Sequence, residues 1–565
     1  MRRLVTLATG VMLLVGISGS TTGSATTTFT LPTRQEVAQK LLSTRGVSLT
    51  MPARIALRAF AEQAPGSPAT AGTLSSLSTG GALGAPLTLG TGLPNVRVND
   101  PGEDAHSLNQ TTQSETSVAV SGRRVVVGFN DLQTETVFYS AGASINGVAA
   151  STDGGQSFTD GGAVPNAPGF SNLGDPALTS DAAGNFYYSS VTVDWVNFAL
   201  AIGVSKSTDG GKTWSDAVNV AAPAEARSPL SYSADKDALT AGSGGLYDTW
   251  DDFTIDPTAT TYDAAFKSGL PVAHSSDGGT TWTVTYASQI NQYPGGCYQQ
   301  YIGAQPLVGP DGTIYVAAKL IKLCWGATGM TDQSAQVIFS SKDGGSTWTQ
   351  GASNPIVAST RGFGGFALGP GQFMRNEEFP TIGFWGGALY MAWNDGGSGG
   401  NSHIKLARST DGGQSWATSW VTSGSANEIQ PALSADTSGV HVAYYELQDA
   451  APGCSDFVGC LFGPKGGDDG SNRHALIDVL LASAADGATW SVQRVTNQSF
   501  PGVDTSPAFD PVEACFVCNA YMGDYIANVS DGTHRYLAWG DNRGIVTNWT
   551  WPNGRHDPDV YFATQ

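Results

Sequence analysis

Six copies of one short turn motif recur along this 565-residue chain. Each copy places an Asp and a Gly after a Ser or Ala, and ends on an aromatic residue. The copies, called box turns below, are Ser151–Phe158, Ser207–Trp214, Ser275–Trp282, Ser341–Trp348, Ser409–Trp416 and the shorter Ala484–Trp490. Their aspartates, Asp153, Asp209, Asp277, Asp343, Asp411 and Asp486, lie 56 to 75 residues apart. A period of this size indicates a repeat architecture.

Each box turn is typical of a hairpin. Asp-Gly supplies the positive-φ geometry of a tight turn, and the Asp side chain accepts bonds from nearby backbone N–H groups. The final Trp or Phe should pack between layers and anchor the turn. Short apolar runs such as Ala199–Val204 and Gln336–Phe339 precede the copies. Each copy is therefore expected to join two strands.

The six copies resemble the Asp-box, or bacterial neuraminidase (BNR) repeat, of sialidase-like β-propellers. This resemblance implies an all-β fold of four-stranded antiparallel blades. It also implies that the six box aspartates are structural and lie on the face opposite the site. Sialidases, other glycosidases, lyases, receptors and assembly factors share these boxes, so the resemblance fixes a fold and leaves the activity open.

A second repeat precedes the boxes and predicts the number of blades. It consists of a polar residue, a strand, a Gly turn and another strand. Its seven copies begin at Glu115, Asp175, Asp237, Gln305, Phe379, Gln430 and Asp524. Seven inner strands and six boxes predict seven blades, with six blades as the alternative. The last blade has no box, and its fourth strand is expected from Asn95–Val98 at the N-terminal side, which would close the ring without exposed edges.

Composition and processing signals divide the chain into three parts. Residues 1–25 have the charged start and apolar run of a secretory signal peptide. Residues 26–92 form a propeptide or spacer that ends in a low-complexity linker. Residues 93–565 form the propeller, and no later apolar run is long enough for a membrane span. A net charge of -20 and a pI of about 4.6 argue against nucleic acid as a partner. We expect a secreted monomer.

Six cysteines in a secreted chain predict three disulfides. Cys297–Cys324 is the clearest pair. Cys454, Cys460, Cys515 and Cys518 form local pairs or pair with each other, and the sequence leaves both arrangements open.

Propeller topology places the long loops, and all six cysteines, on the face opposite the boxes. The second strands end there in acids: Asp131, Asp251, Asp395, Glu446 and Asp541. With the acids that begin the inner strands, they predict a carboxylate-rich central funnel with aromatic walls. Such a funnel suits sugar rings and could supply paired carboxylates for acid, base or nucleophile roles. Calcium binding is the rival use of these acids, and strand capping is the plain structural interpretation.

The resemblance to sialidases implies roles for individual residues. Tyr525 lies at the position of the nucleophile, with Glu378 as its partner, Asp131 as the general acid and Asp524 beside it. Arg375 and Arg543 would supply arms of a carboxylate clamp. The Arg-Ile-Pro signature of sialidases is absent, because Arg97 is followed by Val98. A group of secreted bacterial BNR-repeat glycosyl hydrolases is closer, since it shares Gly-Asp-Tyr and Trp-x-Asp-x-Arg elements over about residues 95–565.

Three hypotheses follow for function. The first is a secreted, exo-sialidase-like glycoside hydrolase that acts on extracellular glycans and requires no cofactor. The second is a non-catalytic propeller that binds a glycan or a protein. The third, ranked below both, is a polysaccharide lyase using Tyr525, His403 or Arg375. The segment His556–Asp559 is a further weak candidate for calcium.

Overall fold

The chain folds into a β-propeller of seven blades, as seen in a computed structural model. The structure describes residues 91–102, 113–131, 144–194, 199–220, 232–255, 266–326, 329–350, 356–360, 365–367, 373–396, 401–447, 476–501, 523–547 and 555–565. The predicted signal peptide and almost all of the predicted spacer lie outside the described residues. Within the described part, no helix is long and apolar enough to cross a membrane.

Each blade is an antiparallel sheet whose inner strand lines the propeller axis. Blades 1 and 2, inner strand first, comprise Gln113–Ser121, Arg124–Asp131, Asn146–Ser151 and Thr159–Ala163, then Ala177–Ser180, Phe186–Asp194, Ala199–Ser207 and Val218–Asn219. Blades 3 and 4 comprise Tyr232–Gly242, Gly245–Ile255, Phe266–Ser275 and Thr283–Asn291, then Cys297–Val308, Ile314–Gly326, Ala335–Ser341 and Thr349–Gln350.

Blades 5 and 6 comprise Thr381–Trp385, Ala388–Gly396, Ser402–Ser409 and Ala417–Trp420, then Asn427–Asp436, Gly439–Leu447, Leu476–Ala484 and Ser491–Arg494. Blade 7 comprises Ala527–Ser530, Arg535–Val546 and Arg555–Thr564, with Val96–Arg97 as its outer strand. Short accessory strands are Phe170–Asn172, Gly329–Asp332, Ile356–Ser359, Gly365–Ala367, Phe373–Asn376 and Phe500–Pro501, and a 3-10 turn spans Pro294–Gly296.

The N-terminal strand closes the ring as predicted. Val96 pairs with Phe562 and Arg97 with Tyr561, so the last blade takes its outer strand from the opposite end of the propeller sequence. This closure covers an edge that would otherwise expose unpaired N–H and C=O groups. The alternative of six blades is therefore wrong.

The apolar core is divided in the same way as the blades. In the described residues, buried side chains form seven clusters, and each lies between two neighbouring blades. One cluster joins blade 1 to blade 7 through Val118, Phe129 and Phe562. Because each blade packs only on its two neighbours, the ring is stabilised by a closed series of similar interfaces.

A bulge near the start of the inner strands turns polar side chains toward the axis. Glu115, Asp175, Lys236, Glu378 and Gln430 have φ between 45° and 56°, and Gly303 takes a similar value in blade 4. The strand register shifts beside these residues in blades 1, 3, 4 and 6. Left-handed backbone costs about 1–2 kcal/mol for a residue with a Cβ, so this conformation must be held by its surroundings.

Candidate functional site

An axial channel with a volume of about 210 Å³ runs between the seven inner strands. Every blade contributes to its wall, through its inner strand or the residues just before it: Ser117, Pro176, Lys236, Gln305, Phe379, Gln430 and Tyr525. We call its opening on the face away from the box turns the channel mouth, where the inner strands begin.

The two halves of the channel mouth differ in charge. Blades 3 and 7 supply Lys236, Asp237, Asp524 and Tyr525 to the channel wall. Glu115 and Asp175 lie beside them at the start of the inner strands of blades 1 and 2, and we call these six residues the acidic half. Blades 4, 5 and 6 supply neutral residues to the channel, among them Gln305, Phe379 and Gln430. Paired carboxyl groups therefore lie on one side of the axis, and amides with apolar side chains lie on the other.

The carboxyl groups of Glu115 and Asp175 form a hydrogen-bonded pair across blades 1 and 2. Glu115 accepts N–H groups from Asn130 (2.8 Å) and from the backbone of Asp524 (3.1 Å), while Asp175 accepts the backbone N–H of Lys236 (3.1 Å). Burial raises the pKa of Asp175 to about 7, and the hydrogen bond between Asp175 and Glu115 opposes this rise. Two carboxylates can bond to each other only by sharing a proton, so this pair holds one near neutral pH.

Tyr525 lies beside this pair, under a lysine. The Lys236 ammonium is 3.7 Å from the centre of the Tyr525 ring and donates to the carbonyl of Asp237 at 3.1 Å. The Tyr525 hydroxyl donates to the carbonyl of Pro176 at 3.2 Å. Burial, followed by the charges of Glu115 and Asp175, raises the pKa of Tyr525 well above its usual value.

A second carboxyl pair is buried in the channel wall between blades 2 and 3. Ser189 lies beside Asp237 and Asp248, and its hydroxyl donates to Asp248 at 2.5 Å. Burial raises the pKa of Asp248 to about 7, and burial together with the charge of Asp248 raises that of Asp237. All three side chains are inaccessible to solvent.

The four predicted catalytic residues occupy different places. Asp524 and Tyr525 both line the channel. Glu378 is buried and forms an ion pair with Lys319 of blade 4. Asp131 is also buried and accepts a bond from Gln113 at 3.3 Å on the paired strand. The acids that act most strongly on Tyr525 are Glu115 and Asp175.

The predicted clamp residue Arg543 binds inside the protein. Its guanidinium makes two bonds to Asp541, at 2.6 and 2.9 Å, and a third to Asn497 at 2.5 Å. It also stacks 4.3 Å from the ring of Tyr561. Arg543 thus links blades 6 and 7 and holds Asp541, while the side chain of Arg375 lies outside the described residues.

The other predicted rim acids bind protein groups. Asp251 accepts the backbone N–H groups of Gly303 and Ala304, at 2.8 and 3.1 Å, and so fixes the next inner strand. Asp395 accepts the Lys405 ammonium at 3.0 Å. These contacts agree with strand capping as the role of the rim acids.

Glu446 lies in another carboxylate group on blade 6. It is directly across the sheet from Glu428 and Asp478. Burial, followed by the charges of these two acids, raises the pKa of Glu446 to about 7. Glu428 itself binds His403 at 2.5 Å, so His403 belongs to this blade 5–blade 6 contact. In the described part of the chain, no cluster of three His, Cys, Asp or Glu residues is placed to hold a metal ion.

The box turns take the predicted hairpin geometry on the opposite face. In the third copy, Asp277 accepts the backbone N–H groups of Thr280 and Thr281, at 3.1 and 2.9 Å, and the Thr281 hydroxyl at 2.6 Å. Ser275 donates to the same carboxylate. The aromatic residue packs inward, as Phe158 does against Phe562 of blade 7 at 4.9 Å.

The predicted Cys297–Cys324 disulfide is confirmed and joins the first two strands of blade 4 at the end nearer the channel mouth. Cys454, Cys460, Cys515 and Cys518 lie outside the described residues. In the predicted calcium candidate, Asp559 accepts a bond from Asn99 at 2.9 Å.

Sequence reasoning named Glu115 and Asp175 as inner-strand starts and missed that they pair. It also missed Lys236 and Asp248. Because Glu115 and Asp175 are 60 residues apart, only the packing of blade 1 on blade 2 brings their carboxyl groups together. The Lys-Asp dipeptide at 236–237 was a usable signal, since it puts a cation where blades 1, 2 and 5 have an acid.

Solved structures with similar folds include three sialidases. A Hadza microbial sialidase, Hz136, is 16% identical with a TM-score of 0.38, over 62% of this chain and 66% of that chain. The Trypanosoma rangeli sialidase in complex with sialic acid is 12% identical with a TM-score of 0.35, over 69% and 53%. The phage phi92 endosialidase is 11% identical with a TM-score of 0.41, over 84% and 69%.

This chain therefore spans about half of the length of the T. rangeli enzyme and two thirds of the microbial one. No family model matches the sequence, and no curated protein matches it. The seven blades and their box turns make the fold a sialidase-like β-propeller, as the repeats predicted.

Proposed function

We propose that this chain is a secreted glycoside hydrolase that acts on extracellular glycans at the acidic half of the channel mouth. The single observation that carries the proposal is the Glu115–Asp175 carboxyl pair beside Tyr525. Glycoside hydrolysis needs one carboxyl group that is protonated near the working pH and a second group that acts on the sugar from another side. Asp175, with a pKa near 7, meets the first need.

In the proposed mechanism Asp175 is the general acid. Its proton passes to the glycosidic oxygen as the bond to the anomeric carbon breaks. Tyr525 attacks that carbon and gives its proton to Glu115, because a tyrosine is a poor nucleophile unless a nearby carboxylate accepts the proton. Water then attacks the anomeric carbon and gives one proton to Asp175, and the bond from the sugar to Tyr525 breaks as Glu115 returns its proton to the Tyr525 oxygen. Glu115 replaces Glu378 as the proposed partner of Tyr525, since Glu378 is held by Lys319.

A non-catalytic glycan-binding propeller is the second candidate. The Tyr525 hydroxyl already donates to Pro176, and its pKa is raised well above the usual value. Both features favour a neutral phenol over an activated nucleophile. This candidate predicts saturable binding without turnover.

A glycan-hydrolysis screen tests the proposal. The secreted protein is incubated with sialosides, neutral glycosides and amino-sugar oligomers, beside Tyr525→Phe and the control Asp216→Asn, which alters an exposed acid. We expect product from the parent and the control, and none from Tyr525→Phe. Binding without any product would favour the second candidate and contradict a hydrolase.

A further inference from the structure

Unpaired hydrogen-bond acceptors line the axial channel. Both carboxyl oxygens of Asp237, Oδ1 of Asn376 and Oε1 of Gln430 have no hydrogen-bond partner in the described structure. These residues are 0%, 1% and 4% exposed, and each lines the channel. A buried acceptor without a donor is unfavourable, so these atoms would be stabilised by a ligand that donates hydrogen bonds.

The amide orientations are fixed by their other contacts. The Asn376 nitrogen donates to Glu378 at 3.4 Å, and the Gln430 nitrogen donates to the carbonyl of Gly523 at 2.6 Å. In both side chains the amide nitrogen faces an acceptor, so the amide oxygen is the atom without a partner. The four unpaired atoms therefore belong to residues of three blades, and all four are hydrogen-bond acceptors.

Three donors of the wall are each bonded to a carbonyl group of the protein. The Lys236 ammonium donates to the carbonyl of Asp237, and the Tyr525 hydroxyl donates to that of Pro176. The hydroxyl of Thr116 donates to the carbonyl of Ala538 at 2.6 Å. A ligand that satisfied this wall would have to bring donors of its own.

The charges around the channel also favour a cationic ligand that donates hydrogen bonds. Three arginines of the blade rims each face an acid: Arg97 faces Asp559, Arg494 faces Asp478 and Arg543 faces Asp541. Carboxylated sugars depend on a guanidinium fork, and among the described residues Arg494 and Arg543 already bind acids of their own blades closely. The acidic half of the mouth and the net charge of -20 attract cations instead. An ammonium group offers three donors and no acceptor.

We propose that the channel binds the protonated amine of an amino sugar, so that the substrate is a glycan with free amino groups. The catalytic part of this statement rests on the proposed function, and the binding part rests on the channel wall. A volume of about 210 Å³ is below the roughly 300 Å³ of sites for larger ligands. The channel therefore suits one sugar or its amine and not a length of chain.

Calorimetric titration of the full chain tests the proposal at pH 6 and low salt. The probes are oligomers of glucosamine, the same oligomers N-acetylated, a sialoside and calcium chloride. We expect the free-amine oligomer to bind at least about tenfold more tightly than its N-acetylated form, a difference of about 1.4 kcal/mol. This preference should fall to about threefold or less in Asp237→Asn and stay unchanged in Asp216→Asn.

A second variant guards against misfolding of Asp237→Asn. Gln430→Met keeps the side-chain length, removes the unpaired oxygen and should weaken binding of the free-amine oligomer only. Equal or tighter binding of the N-acetylated oligomer or the sialoside would overturn the proposal. So would an unchanged preference in both variants, or calcium that binds and displaces the amine.

The same samples separate this proposal from the proposed function. Selective binding of amines without hydrolysis of any glycan would refute the hydrolase and leave the amine site standing. Hydrolysis of sialosides or neutral sugars without an amine preference would refute the amine site and leave the hydrolase standing.

Discussion

The two faces of the propeller carry aspartates that behave in opposite ways. In the box turns, Asp209, Asp277 and Asp411 are surrounded by hydroxyl and backbone donors of their own turn, led by the hydroxyls of Thr213, Thr281 and Ser415, and their pKa is about 2. At the channel mouth, burial raises the pKa of Asp175 to about 7. The box aspartates are therefore ionised at neutral pH and fix their hairpins. Asp175, on the other face, can hold and release a proton near pH 7.

The largest expected effect is a loss of kcat when the channel-mouth aspartate is replaced by asparagine, and the same change on the box face is its control. Asp175→Asn keeps the shape of the protonated acid and removes its proton, so kcat should fall about 10²- to 10⁴-fold. Asp277→Asn, on the box face, should leave kcat within about twofold. Initial rates on the best substrate of the screen measure both. Equal losses in the two variants would break the distinction between the faces.

The dependence of activity on pH sharpens the comparison. Asp175 must be protonated to act as the acid, and its pKa is about 7. Above pH 7, kcat should therefore fall about tenfold per pH unit. The box aspartates are ionised above pH 4, so they should not change kcat in that range. A pH–rate profile measures this. A profile that stays flat from pH 6 to 9 would rule out Asp175 as the proton donor.

Stability should change with pH in opposite directions for the two sets. Asp175 has a raised pKa, so its contribution is present at low pH and is lost as the pH rises through about 7. The box aspartates have lowered pKa values, so their contribution is present above about pH 4 and is lost as the pH falls toward 2.

Thermal unfolding from pH 3 to 9 should therefore give the highest Tm between about pH 4 and 6. A decline of several degrees is expected toward pH 8. Asp175→Asn should flatten the decline on the alkaline side and leave the acid side unchanged. A Tm that rises steadily from pH 5 to 8 would contradict the account of the mouth.

The smallest effect is expected from a single box turn. Asp411→Asn removes one charged acceptor from an exposed hairpin whose aromatic residue, Trp416, still packs inside. The Tm should fall by no more than about 2 °C, with full activity. Differential scanning calorimetry checks this value. Loss of cooperative unfolding would mean that the boxes do more than fix their own turns.

Much of the fold could be predicted because the repeats are local signals. Each box turn needs only its own seven or eight residues, as the bonds around Asp277 show. Ring closure by Val96–Arg97 followed from counting strands.

The site could be predicted only in part, because it depends on packing between blades. Asp524 and Tyr525 were found from a local motif, whereas the partner of Tyr525 depends on which strand follows blade 7 around the ring. Glu378 is close to a suitable position in sequence but binds Lys319. Glu115 reaches the site from a blade about 400 residues away along the chain. No spacing rule in the sequence carries that information.

The most direct test of the account is an infrared titration of the carboxyl groups, comparing the parent with Asp175→Asn. We expect the parent to have one additional protonated carboxyl at pH 6, which loses its proton near pH 7 and is missing in the variant. If the two proteins show the same protonated carboxyl signal at every pH between 5 and 8, the Glu115–Asp175 pair holds no proton. The proposed acid would then be contradicted.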